Sequence, residues 1–151
     1  MVRISRTWGV KDRVRLVATW MLLGSARVVI AILPFRLIRG FLGEHHATTM
    51  TGEPSLAGHR HARARHVATL IGIAAAHSPW RADCYPQALT ARLMLTMARI
   101  PHTVRFGVRR DGDELRAHAW VLAGDVMVTG GDGGDYTAVA AFTWTPRRDR
   151  L

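Results

Sequence analysis

From residue 10 to residue 33 the chain is apolar almost throughout, and Val14, Val17, Trp20, Met21, Gly24, Val28 and Ala31 recur at three- and four-residue spacing. That period predicts a helix with this side packed on the rest of the protein. Pro34 stops it, and residues 35–42 form a shorter amphipathic helix with Arg36 and Arg39 outward. Residues 43–58 have no period and carry Gly, Thr, Ser and Pro, the composition of a loop or linker. A third helix is expected over 59–77, basic in its first half and alanine-rich and buried in its second. A fourth begins near Cys84 and ends near Ile100, because Pro101 disfavours helix in the residue before it. Its inward side is Ala88, Leu89, Ala91, Met94 and Leu95, with Arg92 and Arg99 towards solvent.

After Pro101 the period becomes two. Residues 102–110 read as a strand with Val104, Phe106 and Val108 on one face. Asp111-Gly112-Asp113 is a hairpin turn, 114–122 the returning strand, Ala123-Gly124-Asp125 a second turn and 126–128 a short third strand. A glycine-rich loop over 130–135 and an apolar closing segment over 136–144 follow. Helices first and then an antiparallel meander make an α+β domain. The expected division is a helical segment over 1–45, a core over 46–145 and a basic tail over 146–151, with both chain ends frayed.

Composition narrows the picture. At 151 residues, 48% apolar and 21% charged, the chain is long enough to bury a core and too apolar for wholesale disorder. The net charge of +10 comes from 20 Arg against the single Lys11. A ratio so lopsided is what codon bias produces, so the charge points only weakly to an anionic partner such as nucleic acid, a membrane surface or an acidic peptide. Ser25-Ala26-Arg27 interrupts the first apolar run and no small-residue cleavage site follows it. The run therefore suits a packed helix better than a signal peptide or a span, with lipid-surface contact as its functional alternative. One cysteine forms no internal disulfide, which fits a reducing cytoplasm, and builds no multi-cysteine zinc site. His59, His61 and His66 lack the three- or four-residue spacing of helical metal ligands, so neither a metal nor a cofactor is expected.

A lone cysteine is more often a buried filler than a nucleophile. Cys84 has a better position: at a helix start, unpaired N–H groups and the helix dipole favour thiolate. Thirty-four residues later His118 stands in a predicted strand, the outline of a Cys-His pair in which the imidazole takes and returns the thiol proton. His102 is the other possible partner. A third group that fixes the imidazole should come from the neighbouring strand or the loop after it, where Asp125, Asp132 and Asp135 are the candidates. The non-enzymatic reading is a basic binding module using residues 59–65 and the first helix. Aromatic residues are absent from 59–65, however, and no helix-turn-helix or zinc-finger pattern occurs, so nucleic acid is not the expected partner.

Pro79-Trp80, Cys84-Tyr85-Pro86-Gln87-Ala88-Leu89, the strand through Arg105, Gly107 and Val108, and Ala117-His118-Ala119-Trp120-Val121 together resemble the transglutaminase-like leader peptidases of lasso-peptide biosynthesis. The Leu33-Pro34-Phe35-Arg36 break and the closing Ala140-Ala141-Phe142 extend the resemblance over nearly the whole chain. It implies a papain/transglutaminase-like core, with the cysteine helix packed on a short antiparallel sheet behind N-terminal helices. The implied activity is a cofactor-free cysteine protease in the bacterial cytoplasm that removes the leader from a ribosomally made precursor peptide. A small leader-binding protein delivers the precursor, and an ATP-dependent cyclase then closes the macrolactam. Transfer of the acyl group to an amine instead of water is the related alternative. The region before Cys84 is helical and poor in strands, so the leader-binding protein is expected to be a separate partner. Cys84 matches the nucleophile and His118 the base. The family's acid tends to follow the third strand, where this chain reads Val128-Thr129-Gly130-Gly131-Asp132. Thr129 or Gly130 stands at the matching place, so Asp132 is taken as the acid and Asp125 as the runner-up.

Overall fold

A computed structural model describes residues 8–42, 44–46, 55–80, 82–131 and 133–147. The expected fraying at residues 1–7 and 148–151 lies outside them. The helices are α1 (Val10–Ile32), α2 (Phe35–Leu42), α3 (Gly58–Ala76) and α4 (Cys84–Met97). The strands are β1 (Glu44–His46), β2 (His102–Asp111), β3 (Glu114–Ala123), β4 (Val126–Thr129) and β5 (Thr137–Trp144). The helices and hairpins thus fall where period and punctuation put them.

The sheet is antiparallel in the order β1-β5-β2-β3-β4. It departs from the expected meander at its end. β5 pairs with β2 rather than with β4, so the chain must cross the sheet between Thr129 and Thr137. The expected loop over 43–58 also contributes a strand, because Glu44, His45 and His46 pair with Thr143, Phe142 and Ala141 of β5. Three polar residues give no apolar alternation, and an edge strand needs only its backbone to pair.

One face of the sheet carries the core. Val104, Ala119, Val121, Ala123 and Phe142 pack against Ala88, Ala91 and Leu95 of α4, Val67 and Ile71 of α3, and Ile38 and Leu42 of α2. The expectation for α1 needs correcting. Thr19 and Leu23 are its buried residues, while Val14, Val17, Met21 and Val28 face solvent. Trp80 decides this docking: its ring lies 4.6 Å from that of Trp20, and a Cβ added at Gly24 would stand 3.0 Å from it. An indole seated on a glycine fixes one side of a helix that is apolar nearly all round.

Arg92 is a second correction, being 5% exposed rather than solvated. Its guanidinium lies 4.8 Å over the Phe41 ring and donates to the Thr96 hydroxyl, while desolvation lowers its pKa to about 10. It stays charged at neutral pH and joins α2 to α4.

His102 follows the far end of α4. It is 1% exposed, stacks on Trp144 at 5.5 Å and bonds the Ile100 carbonyl through Nδ1 at 2.8 Å. Burial pushes its pKa from 6.5 down to about 4; the Ile100 bond opposes this and the charge of Arg92 adds to it. Between those two values the unfolded chain binds more protons than the folded one. Stability from this residue is therefore full above pH 6.5 and lost as pH falls towards 4, by up to about 3 kcal/mol. Urea unfolding at pH 7 and pH 5 should show this loss in the wild type, and a much smaller one in His102→Phe.

Candidate catalytic site

Cys84 is the first residue of α4, after Asp83 in extended backbone (φ −64, ψ 174). Two hydrogen bonds and a proline build this helix start. Gln87 donates from Nε2 to the Ala82 carbonyl at 2.7 Å and from its backbone N–H to the Asp83 carbonyl at 3.3 Å, closing the first turn. Pro86 sits within that turn, where a missing N–H costs nothing. The N–H groups of Cys84 and Tyr85 therefore point out of the helix end, suited to stabilise an oxyanion. Cys84 itself is half-buried against the core, and Tyr85 meets Phe106 edge-on at 5.7 Å and Phe35 at 6.3 Å. Burial pushes the Tyr85 phenol up to about 12, so it stays neutral.

His118 lies in the middle of β3, and its position follows from register. Phe106 pairs with Ala119 and Gly107 with His118, so contact of Tyr85 with Phe106 sets the start of α4 level with His118 along the sheet. The faces differ. Ala119 and Val121 turn to the core under α4, while His118 and Trp120, one step out of phase, turn to the opposite side. There His118 stacks on Tyr136 at 4.7 Å and on Trp120 at 5.8 Å. Its Nε2 donates to the Gly130 carbonyl at 2.7 Å, which leaves Nδ1 as the acceptor nitrogen.

The Cys84 thiol makes no hydrogen bond to His118 or to another side chain among the described residues. Both residues stand at the same level of the fold, and His118 is out of phase with the core residues Ala119 and Val121 of its own strand.

The other expected residues divide sharply. α4 has 14 residues and is about 20 Å long, so His102 at its far end is no partner for Cys84. Asp125 lies in the turn after β3, 80% exposed and 3.3 Å from His61. Five residues of strand separate His118 from Ala123, about 16 Å, so Asp125 does not reach the imidazole. Asp135 comes nearer: with His118, Gly130, Gly133, Gly134 and Tyr136 it lines a shallow hollow of about 270 Å³. Its carboxylate faces Arg109 at 3.6 Å, and that guanidinium lies 5.0 Å over Tyr136. Asp132 lies outside the described residues.

The sequence profile of the transglutaminase-like superfamily matches residues 29–143. The chain belongs to that superfamily. The match runs from the last turns of α1 through β5 and so takes in Cys84 and His118. A comparison with curated proteins and one with solved structures gave no match.

In this transglutaminase-like domain the residues that sequence reasoning missed surround the imidazole. Trp120 is 3% exposed on the face away from the helices. It is roofed by the crossing from β4 to β5, since a Cβ at Gly133 would stand 2.6 Å from its ring and one at Gly130 2.7 Å from its Cβ. Gly107 lies beside it, with room for no more than a hydrogen, because an added Cβ would meet the indole at 2.8 Å. The signal was present in the His-Ala-Trp spacing, which puts His118 and Trp120 on one face, and in the glycine run that follows β4.

Proposed function

We propose that this protein is a cysteine peptidase that removes the leader from a ribosomally synthesised lasso-peptide precursor before macrolactam closure. The observation that carries the reading is the coincidence of two blocks inside a transglutaminase-like domain. Cys84-Tyr85-Pro86-Gln87 opens α4, and Ala117-His118-Ala119-Trp120 lies level with it in β3. In the reaction the Cys84 thiolate attacks the scissile carbonyl, and the N–H groups at the start of α4 hold the oxyanion. His118, having taken the thiol proton, gives it to the departing amine, and water then hydrolyses the thioester. The Gly130 carbonyl accepts from Nε2 and fixes the tautomer, and Asp132 is the acid that completes the triad. A separate leader-binding protein delivers the precursor, an ATP-dependent cyclase uses the freed amine, and the reaction takes place in the cytoplasm.

Catalytic contacts are commonly long before substrate binds. Here no hydrogen bond joins thiol and imidazole among the described residues, and precursor binding is the event that brings them together. A disulfide needs Cα atoms about 4.4–6.8 Å apart, so His118→Cys turns this approach into a trap. Oxidation should link residues 84 and 118 when precursor and leader-binding protein are present, and leave them apart without these. Failure to link in either state counts against the pairing.

The activity test is mass spectrometry of a cognate precursor incubated with the enzyme and its leader-binding partner. Hydrolysis gives two fragments whose masses sum to precursor plus water. An added amine in place of water would move the protein to the acyl-transfer branch of the superfamily.

A further inference from the structure

The outer side of α1 takes no part in the peptidase reading, yet among the described residues it is a long apolar face left uncovered. Val10, Val14, Val17, Met21, Val28 and Ile32 lie at 78, 62, 60, 58, 56 and 73% exposure. At 100° per residue all six fall within about 60° of one line along a helix about 34 Å long, opposite buried Thr19 and Leu23. A helix that is apolar all round is ordinarily buried all round. α1 is long and apolar enough to cross a bilayer, but the domain covers one side of it through Trp80 and Met94, and Arg27 stands within it. What remains is a convex half-cylinder of aliphatic side chains.

The apolar surface continues past Pro34. Val29 of α1, Leu33 just after it, and Leu37 and Phe41 of α2 line an apolar groove of about 360 Å³. The charges around this surface are nearly all of one sign. Residues 8–42 hold six Lys and Arg against one acid, Asp12, whose carboxylate faces Arg15 at 3.5 Å. Lys11 and Arg13 are exposed beside the first turn of the stripe, and Arg36 and Arg39 are exposed on α2. The acids of the hairpin turns lie at the ends of the sheet instead, where Asp111 and Glu114 pair with Arg116.

We infer that the outer faces of α1 and α2 dock on an anionic lipid bilayer, with α1 lying in the plane of the interface. A continuous aliphatic stripe with cationic residues around it is the arrangement that buries apolar side chains among acyl chains and leaves Lys and Arg at the headgroups. The stripe is convex and carries no polar groups to fix a register, which suits a fluid surface better than a protein partner.

The test uses the full chain with vesicles of phosphatidylcholine alone and of phosphatidylcholine mixed with phosphatidylglycerol. At low salt the mixed vesicles should carry down at least about tenfold more protein than the neutral ones, and high salt or carbonate should release it. Val17→Glu/Met21→Glu alters two exposed side chains, so it should keep the wild-type thermal unfolding and lose the sedimentation. Equal sedimentation with both vesicle types, an unaffected double variant, or resistance to carbonate extraction each overturns the inference, the last because it would mean that α1 crosses. A wild-type dimer in light scattering that the double variant dissolves would assign the face to a second copy. Loss of leader-binding-protein capture in the variant, without any lipid binding by the wild type, would assign it to that protein. Neither outcome depends on peptidase activity.

Discussion

Cys84→Ala is expected to lower precursor hydrolysis by about 10⁴-fold or more, to the background rate, while leaving the fold intact. The side chain is small, half-buried and without a hydrogen-bonded partner among the described residues, so its truncation should change stability by no more than about 1 kcal/mol. His118→Ala should cost a similar factor, and the double variant little more than either single one, because nucleophile and base act as one unit. The measurement is single-turnover cleavage followed by mass spectrometry, beside a thermal unfolding curve for each variant. Cys84→Ala at wild-type rate would end the mechanism. The third member gives a finer test. Where a carboxylate alone sets the tautomer of a catalytic histidine, its amide variant loses about 10⁴-fold. Here the Gly130 carbonyl already accepts from Nε2 at 2.7 Å, so Asp132→Asn should fall by only about tenfold. Asp125→Asn should be silent, since its carboxylate serves His61 at the far end of β3.

The contrast between legible and illegible features has a physical basis. Pro34 and the two Gly-containing turns are local instructions, and α2, the β2–β3 hairpin and the β3–β4 turn follow them closely. The inward side of α1 is not a local matter. A helix apolar on both sides offers two candidate faces, and the choice falls to Trp80, sixty residues away from Trp20. Arg92 was misplaced for the same reason: its type says solvent, but Phe41 and Thr96 hold it inside. β1 was missed because backbone pairing alone makes it a strand. At the site, the positions of Cys84 and His118 on a helix start and in a strand were readable, and so was their common level once β2 and β3 pair. Which face α4 covers was not, since Ala119 and Val121 on one side and Trp120 on the other are all apolar. The carbonyl that holds His118 has no residue-type signature at all.

Trp120→Ala is expected to be the most damaging substitution for stability outside the α4 core, at about 3–5 kcal/mol. The indole is buried under a roof of glycine backbone and stacks on His118 at 5.8 Å. Its removal leaves a cavity beside Gly107, Gly130 and Gly133, which glycines cannot refill. For a chain of this length the melting temperature should fall by roughly 10 °C or more. The complementary change is Gly130→Ala. Its φ of +78 disfavours any side chain, and an added Cβ would lie 2.5 Å from the Ala119 carbonyl oxygen, which belongs to a paired strand and cannot move aside cheaply. A loss well above about 1 kcal/mol is expected, with the Nε2 bond of His118 displaced at the same time. Gly133→Ala instead sets a Cβ 2.6 Å from the Trp120 ring, the group that Trp120→Ala removes, so the effects of those two should not add fully. A Trp120→Ala/Gly133→Ala variant clearly more stable than the two separate losses imply would show that Trp120 and the Gly133 turn form one unit, with His118 mounted on it. Fully additive losses would mean that the crossing is held elsewhere, and that the imidazole takes its orientation from β3 alone.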